Sequence, residues 1–475
     1  MINLGKNREV LWDPYIVDTE NTTAYQRLMQ PNLKEIAFYL PKGVEAIMFM
    51  SILKDDVGYK LYYMNWDTDD VAERYLAVAE SADGIDWIFP SLNIYPNHPE
   101  LENNNIVMEN ADSTFVFYDQ NPGCDASEKY KAIAPYRHKV DGVSTLELWA
   151  YTSADGYHFK RSHRIADESK GHFDSLNTAI WRDGTYVCYL RGMHSADGAD
   201  LTHAQWKTHH IRDVRVMYSK DFIMWTEPKR IEYADELDYQ MYTNGVCLYD
   251  RAPQILIGLP SRYCAREEWT GNTEQLASSE IKRRAMVLPQ YDGKRSGLAL
   301  SDCIFMCSRD GEHWYRHNEA FMTPGYETEN NWVYGDCYPV CGLIDSGRES
   351  YYMYCMGYRR SFGKKKPVYR YEIRKDGFAC YMAGGEECML VTKPLIFEGK
   401  DLHLNFSTSA YGYVYVSVLD EEGRELSGES FELYGDTIDR TVKFADGGDF
   451  SEFAGKTVRL KFRMRDAKIF SFKFD

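Results

Sequence analysis

Apolar residues in this chain come in short runs rather than at helical spacing. Residues 46–53, 59–64 and 75–80 are the first three runs, divided by a turn at Asp55-Asp56-Val57-Gly58 and a longer polar stretch. They are rich in aromatic and branched residues and bounded by Asp, Asn and Gly, the pattern of strands. The same three-run order returns at 113–118, 130–134 and 146–151, and again at 177–181, 185–191 and 214–218. It returns twice more, at 244–249, 254–259 and 303–307, then at 337–344, 350–356 and 369–374. A lead-in strand is expected at 11–17. No window sustains a 3.6-residue period.

A marker closes four of these units. It reads Ser-x-Asp-Gly-x-x-aromatic, with its serines at Ser81, Ser153, Ser219 and Ser308; Phe222 replaces the glycine in the third copy. Ser and Asp side chains bond nearby backbone N–H groups and Gly permits positive φ, so each copy predicts a tight turn. Intervals of 72, 66 and 89 residues suit blades with long loops, and self-similarity at such a period indicates an array. After residue 390 the marker is gone. Short alternating strands at 402–406, 414–419, 441–444, 458–464 and 469–474 predict a small antiparallel sandwich. The expected fold is all-β: a five-bladed β-propeller over residues 1–388, the candidate catalytic domain, followed by a C-terminal β-sandwich over 389–475. Segments 192–212 and 264–301 are loops long enough to shape a site.

Composition narrows the function. Aromatic residues make up 15% of the chain, which favours strands and a sugar-type site. A net charge of −17 argues against nucleic acid or an anionic membrane as partner. The eleven cysteines are scattered without a C-x-x-C pair, and the first residues lack the apolar core of a signal peptide, so a reducing, cytoplasmic setting is expected. No G-x-S-x-G, G-x-G-x-x-G or Walker sequence occurs, and the His203, His209, His210 and Asp213 spacing is not a metal-ligand pattern. No cofactor and no metal are expected. The expected partner is a small-molecule carbohydrate, with a homo-oligomer left open.

In a propeller, first strands begin and second strands end at one rim of the axis. First-strand onsets offer Glu45, Asn104, Asn105, Asp174 with Asn177, Asp238 with Tyr242, and Glu329 with Trp332 close by. Second-strand ends offer Arg191, Arg262 and Arg359. Glycoside hydrolysis needs one protonated and one ionised carboxyl. Asp174, Glu45, Glu329 and Asp238 are therefore the catalytic candidates. Arg191, Arg262, Arg359, Asn104, Asn105, Asn177, Tyr242 and Trp332 are the substrate-binding candidates. The three arginines would either neutralise the protein's own acids or grip an anionic sugar.

Several stretches, among them Asn103-Asn104-Asn105-Ile106-Val107, Phe117-Tyr118-Asp119-Gln120-Asn121-Pro122 and Phe173-Asp174-Ser175-Leu176-Asn177, resemble a widespread bacterial family. Its members are usually labelled glycoside hydrolases and look like relatives of the five-bladed invertase and arabinanase type. The tail, with Leu390-Val391-Thr392-Lys393-Pro394-Leu395, resembles the β-sandwich that closes those chains. The chain lacks the invertase-type Asn-Asp-Pro-Asn-Gly opening; Trp12-Asp13-Pro14-Tyr15 is a partial echo, and Glu387-Cys388 lies too late for that family's acid. The resemblance implies fold and a glycosidase class without transferring a catalytic triad. The expected activity is cleavage of a short oligosaccharide by paired-carboxylate chemistry; the alternative is a non-catalytic carbohydrate-binding or structural propeller.

Overall fold

The computed structural model describes residues 1–41, 47–65, 74–98, 103–140, 143–201, 210–279, 281–282, 298–328, 331–332, 337–357 and 366–475. Among them the chain is nearly all β, with a short α-helix at Gly271–Leu276. No helix there is long and apolar enough to cross a membrane.

Five sheets follow one another along the chain, and in the first three every strand pairs antiparallel with the next. The first sheet holds Ile47–Lys54, Tyr59–Asn65, Tyr75–Ser81 and Ile106–Glu109; the second Phe115–Tyr118, Tyr130–Val140, Val143–Ser153 and Lys160–Ala166. The third holds Thr178–Arg182, Thr185–Ser195, His210–Ser219 and Lys229–Arg230. The fourth is split. Cys247–Leu248, Leu256–Gly258, Met306–Ser308 and His313–Arg316 form one part, with Glu232–Tyr233 added parallel at the edge; Gln240–Met241, Ser261–Ala265 and Ala299–Cys303 form the other. Pro260 sits at the break and has no N–H to give to a ladder. The fifth sheet pairs Ser350–Met356 with Pro367–Arg374, and its outer strand is Asn32–Tyr39, supplied from the other end of the chain.

All four marker serines end the third strand of their sheet. In the first copy Ser81 Oγ donates to Asp83 Oδ1 (3.0 Å), Gly84 N donates to Ser81 Oγ (2.8 Å), and the next two amides donate to Asp83. The turn also joins neighbouring sheets. Tyr62 of the first sheet donates to Gly156 O in the second (2.9 Å), Tyr189 of the third to Gly311 O in the fourth (3.0 Å), and Tyr354 of the fifth to Gly84 O in the first. His163 Nε2 donates to Phe222 O between second and third (2.7 Å), and Ser261 Oγ to Cys337 O between fourth and fifth (3.0 Å). One cavity of about 550 Å³ is lined from all five sheets, by Ile52, Phe117, Ala179, Leu248 and Cys341 among others. The innermost strands therefore face a common space.

Most of the remaining strands form a separate sheet in which Arg459–Phe474 pairs with Leu402–Leu419, and the latter with Asp436–Val442. The sequence pattern predicts two short strands in each of the two long ones. The chain instead runs on through a register shift between Thr408 and Tyr413, because Gly412 lies so close to Asp466 that a Cβ would sit 2.2 Å from its carbonyl oxygen. The first residues join it too: Glu9–Val10 pairs with Arg459–Phe474 and Tyr25–Leu28 with Ala379–Ala383, while Ile2–Gly5 and Leu395–Phe397 form a parallel two-stranded sheet of their own. Residues 11–17 are not the expected strand but a series of bends that buries Trp12 edge-on against Tyr249, Phe305 and Phe378.

Candidate active site

The segment before the third sheet's first strand is held from both ends. Asn177 Nδ2 donates to Phe173 O (2.8 Å) and Ser175 O (2.9 Å), while its Oδ1 accepts from Arg191 N (3.1 Å). Arg191 Nε donates to His172 O (3.0 Å). Asp174 stands at the crest of this loop, 48% exposed and ion-paired with the buried Arg191 guanidinium. Asn177 thus positions the loop that presents Asp174 and is itself fully buried.

A second carboxylate occupies the matching place before the first strand of the second sheet. Asp112 is buried, accepts from Ser113 Oγ (3.0 Å) and is paired with Arg74 (2.8 Å). Burial pushes its carboxyl above the usual aspartate range, and the Asp174 charge adds to this against Arg74 and Arg137. The two acids therefore feel each other across adjacent strand starts, one enclosed and one open to solvent. Sequence reasoning missed Asp112. It took Asn104 and Asn105 as the strand onset, yet both precede the outermost strand of the first sheet. Their side chains serve the fold: Asn104 Nδ2 donates to Tyr95 O (2.6 Å), and Asn105 Nδ2 to Tyr63 Oη (2.8 Å) and Val78 O (2.6 Å). An Asp directly before the run 113–118 was the signal available.

Among solved structures the chain is similar to a glycoside hydrolase at 11% identity, over 73% of this chain and 92% of that one, TM-score 0.47. It is similar to an N-acetylgalactosamine deacetylase from F. plautii in complex with blood group B trisaccharide (10%, 92% and 95%, TM-score 0.41) and to a β-fructofuranosidase from Bombyx mori (9%, 92% and 94%, TM-score 0.38). The neighbours are glycoside hydrolases and a sugar deacetylase. No protein-family model and no curated protein matches the chain.

Asp238 lies elsewhere in the electrostatics. It is exposed and accepts from His194 Nε2 (3.0 Å), whose Nδ1 faces the buried Asp213 (3.0 Å). The Asp213 hydrogen bond raises the imidazole above its ordinary value in spite of burial, which favours its charged form between the two acids. Arg215 completes the cluster on Asp213 (3.0 Å). Arg262 is gripped in a two-pronged pair by Asp302 (2.9 and 2.6 Å) and donates to Asn318 O (2.9 Å). Tyr242 is buried under Arg191, its ring 5.6 Å from that guanidinium, and stacks on Tyr263 at 5.9 Å. Trp332 Nε1 donates to Gly325 O (2.9 Å). Glu45, Glu329 and Arg359 lie outside the described residues, as do His203 and His209. Among the described residues no group of three or more His, Cys, Asp or Glu is placed to hold a metal ion.

Proposed function

We propose that this protein is a glycoside hydrolase acting at the end of the axis where Asp112 and Asp174 begin their strands. The observation that carries the reading is that pair: neighbouring carboxyls in unlike surroundings, the arrangement by which one group stays protonated while the other stays charged. Asp112, whose neutral form burial favours, is the proton donor; Asp174, open to solvent beside Arg191, is the charged partner that attacks or activates water. The cycle of contacts from sheet to sheet, returning from fifth to first, supports a five-bladed propeller as the scaffold, with Asn32–Tyr39 closing the ring. By the same reading the strand pairing supports a C-terminal β-sandwich that takes in residues 2–28 as well as those after 379.

Asp112→Asn and Asp174→Asn, assayed on aryl glycosides and natural oligosaccharides, test this. Each should lower kcat by about a hundredfold or more in a protein that still folds, with a lower melting temperature because each substitution leaves a buried arginine, Arg74 or Arg191, without its carboxylate. Turnover unaffected by both substitutions refutes the assignment. The enclosure of Asp112 within its own ion pair favours the second reading, a carbohydrate-binding propeller; binding without hydrolysis across the panel would establish it.

A further inference from the structure

We propose that the site takes an acidic sugar, and that Arg212 holds the carboxylate of a uronic acid residue. The inference rests on the carbohydrate reading above. Arg212 lies at the start of the third strand of the third sheet and is only 3% exposed. Its guanidinium faces the fourth sheet, 4.4 Å from the Tyr263 ring and 5.3 Å from the Tyr242 ring. Among the described residues its one side-chain hydrogen bond runs from Nη1 to the neutral Gln240 Oε1, and the buried Nε has no partner there.

That isolation is exceptional among the described residues. The other buried arginines among them each sit on a carboxylate: Arg8 on Asp376, Arg74 on Asp112, Arg191 on Asp174, Arg215 on Asp213, Arg316 on Asp235. A chain with seventeen more acids than bases leaves this single buried guanidinium without one among the described residues. A charge removed from water is retained only where something compensates it, and the Nε/Nη2 edge presents two parallel N–H groups spaced for a carboxylate. Its surroundings fit a sugar acid better than a bare ion. The stacked Tyr242 and Tyr263 rings offer an apolar wall for a pyranose face, and the Arg191 that pairs with Asp174 approaches the same Tyr242 ring. The anionic group would thus sit beside the reacting carboxylate and fix which sugar reaches it.

Calorimetry and thermal shift with free galacturonate and glucuronate, against galactose, glucose and inorganic phosphate, test the assignment. The uronates should bind about tenfold or more tighter than the neutral sugars and raise the melting temperature. Arg212→Lys, which keeps charge but loses the fork, and Arg212→Met should both abolish that preference. Neither should lower the melting temperature of the free protein, since no ion pair is broken. Uronates binding no better than neutral sugars, or phosphate binding where uronates do not, overturns the proposal. So does an Arg212→Met protein that melts lower yet keeps the acid preference. The two readings fail separately. Uronate binding lost in Arg212→Lys with no hydrolysis of any glycoside leaves the acid site standing and removes the hydrolase; equal cleavage of neutral and acidic glycosides does the reverse.

Discussion

Replacing Asp376 by Asn should unfasten the C-terminal sheet from the rest of the molecule. Asp376 is fully buried, and its carboxylate accepts from Tyr249 Oη (2.7 Å), from Arg251 Nε (2.9 Å) and Nη2 (3.0 Å), from Asn405 Nδ2 (3.1 Å) and from Ser471 Oγ (2.6 Å). Arg8 approaches to 3.5 Å, and Trp12 Nε1 donates to the Asp376 carbonyl (2.8 Å). One side chain thus ties the first residues, the fourth sheet and the C-terminal sheet together. Burial alone would raise its pKa; the Arg251 hydrogen bond and charge, with Arg8 behind them, hold it at about 2 instead of 3.8. A depressed carboxyl stabilises the fold above its unfolded value and ceases to as pH falls through its folded value. That shift corresponds to about 2 kcal/mol at pH 7. Asn keeps the shape but leaves two guanidinium groups without their counter-charge, which costs about 3–5 kcal/mol. Urea unfolding followed by tryptophan fluorescence should show that loss at pH 7, narrowed by about 1 kcal/mol at pH 3, where part of the wild-type advantage has gone. A loss under about 1 kcal/mol, or one identical at both pH values, would refute the reasoning.

Glu9 reverses the sign: burial raises its carboxyl from 4.5 to about 7, against Arg309 and with Asp13. The folded state keeps a proton that the unfolded chain releases above pH 4.5, so stability falls as pH rises from there through 7. Glu9→Gln should therefore gain about 1–3 kcal/mol over wild type at pH 8 and little at pH 4, read from melting curves. Gly156 has φ +79°, and a Cβ there would lie 2.7 Å from Tyr62 Oη and 2.9 Å from the Tyr130 ring. Gly156→Ala should cost about 1–3 kcal/mol by denaturant titration, clearly more than Gly184→Ala, whose φ is also positive but whose Cβ meets nothing within 4 Å. Cys264 is the exposed thiol of the eleven, with Cys124, Cys247 and Cys388 half-buried and the rest enclosed. A thiol reagent on the native protein should label it first, and Cys264→Ser should remove the fast phase.

The repeating marker made the sheets legible because its information is local. Ser81, Asp83 and Gly84 make their bonds to one another, within a few residues, and any chain segment carrying them turns there whatever surrounds it. The outer strand of the fifth sheet had no such signature. Residues 32–39 are mostly exposed and mixed in polarity, and they become a strand by pairing with Pro367–Arg374, more than 300 residues away. The long strands of the C-terminal sheet were hidden for a related reason. Arg465-Asp466-Ala467 reads as a turn, and only the approach of Gly412 to Asp466 carries the ladder past it.

The arginines show where the sequence stops informing about chemistry. Arg191 and Arg262 were placed on the rim by their position at strand ends, but that position does not say whether a guanidinium is already neutralised. Register decides it. Arg262 lies directly across the ladder from Asp302, which takes both its prongs, so Arg262→Lys should weaken the fold locally and leave acidic and neutral sugars equally affected. Arg212 lies across from Met193, a residue that cannot compensate it, and its neighbours on the facing sheet are two tyrosines and a glutamine. Shifting either pairing by one residue would exchange which side chains meet on that face and move the uncompensated charge elsewhere. The guanidinium left for a ligand is therefore a property of strand pairing, fixed by contacts that no single stretch of the chain contains.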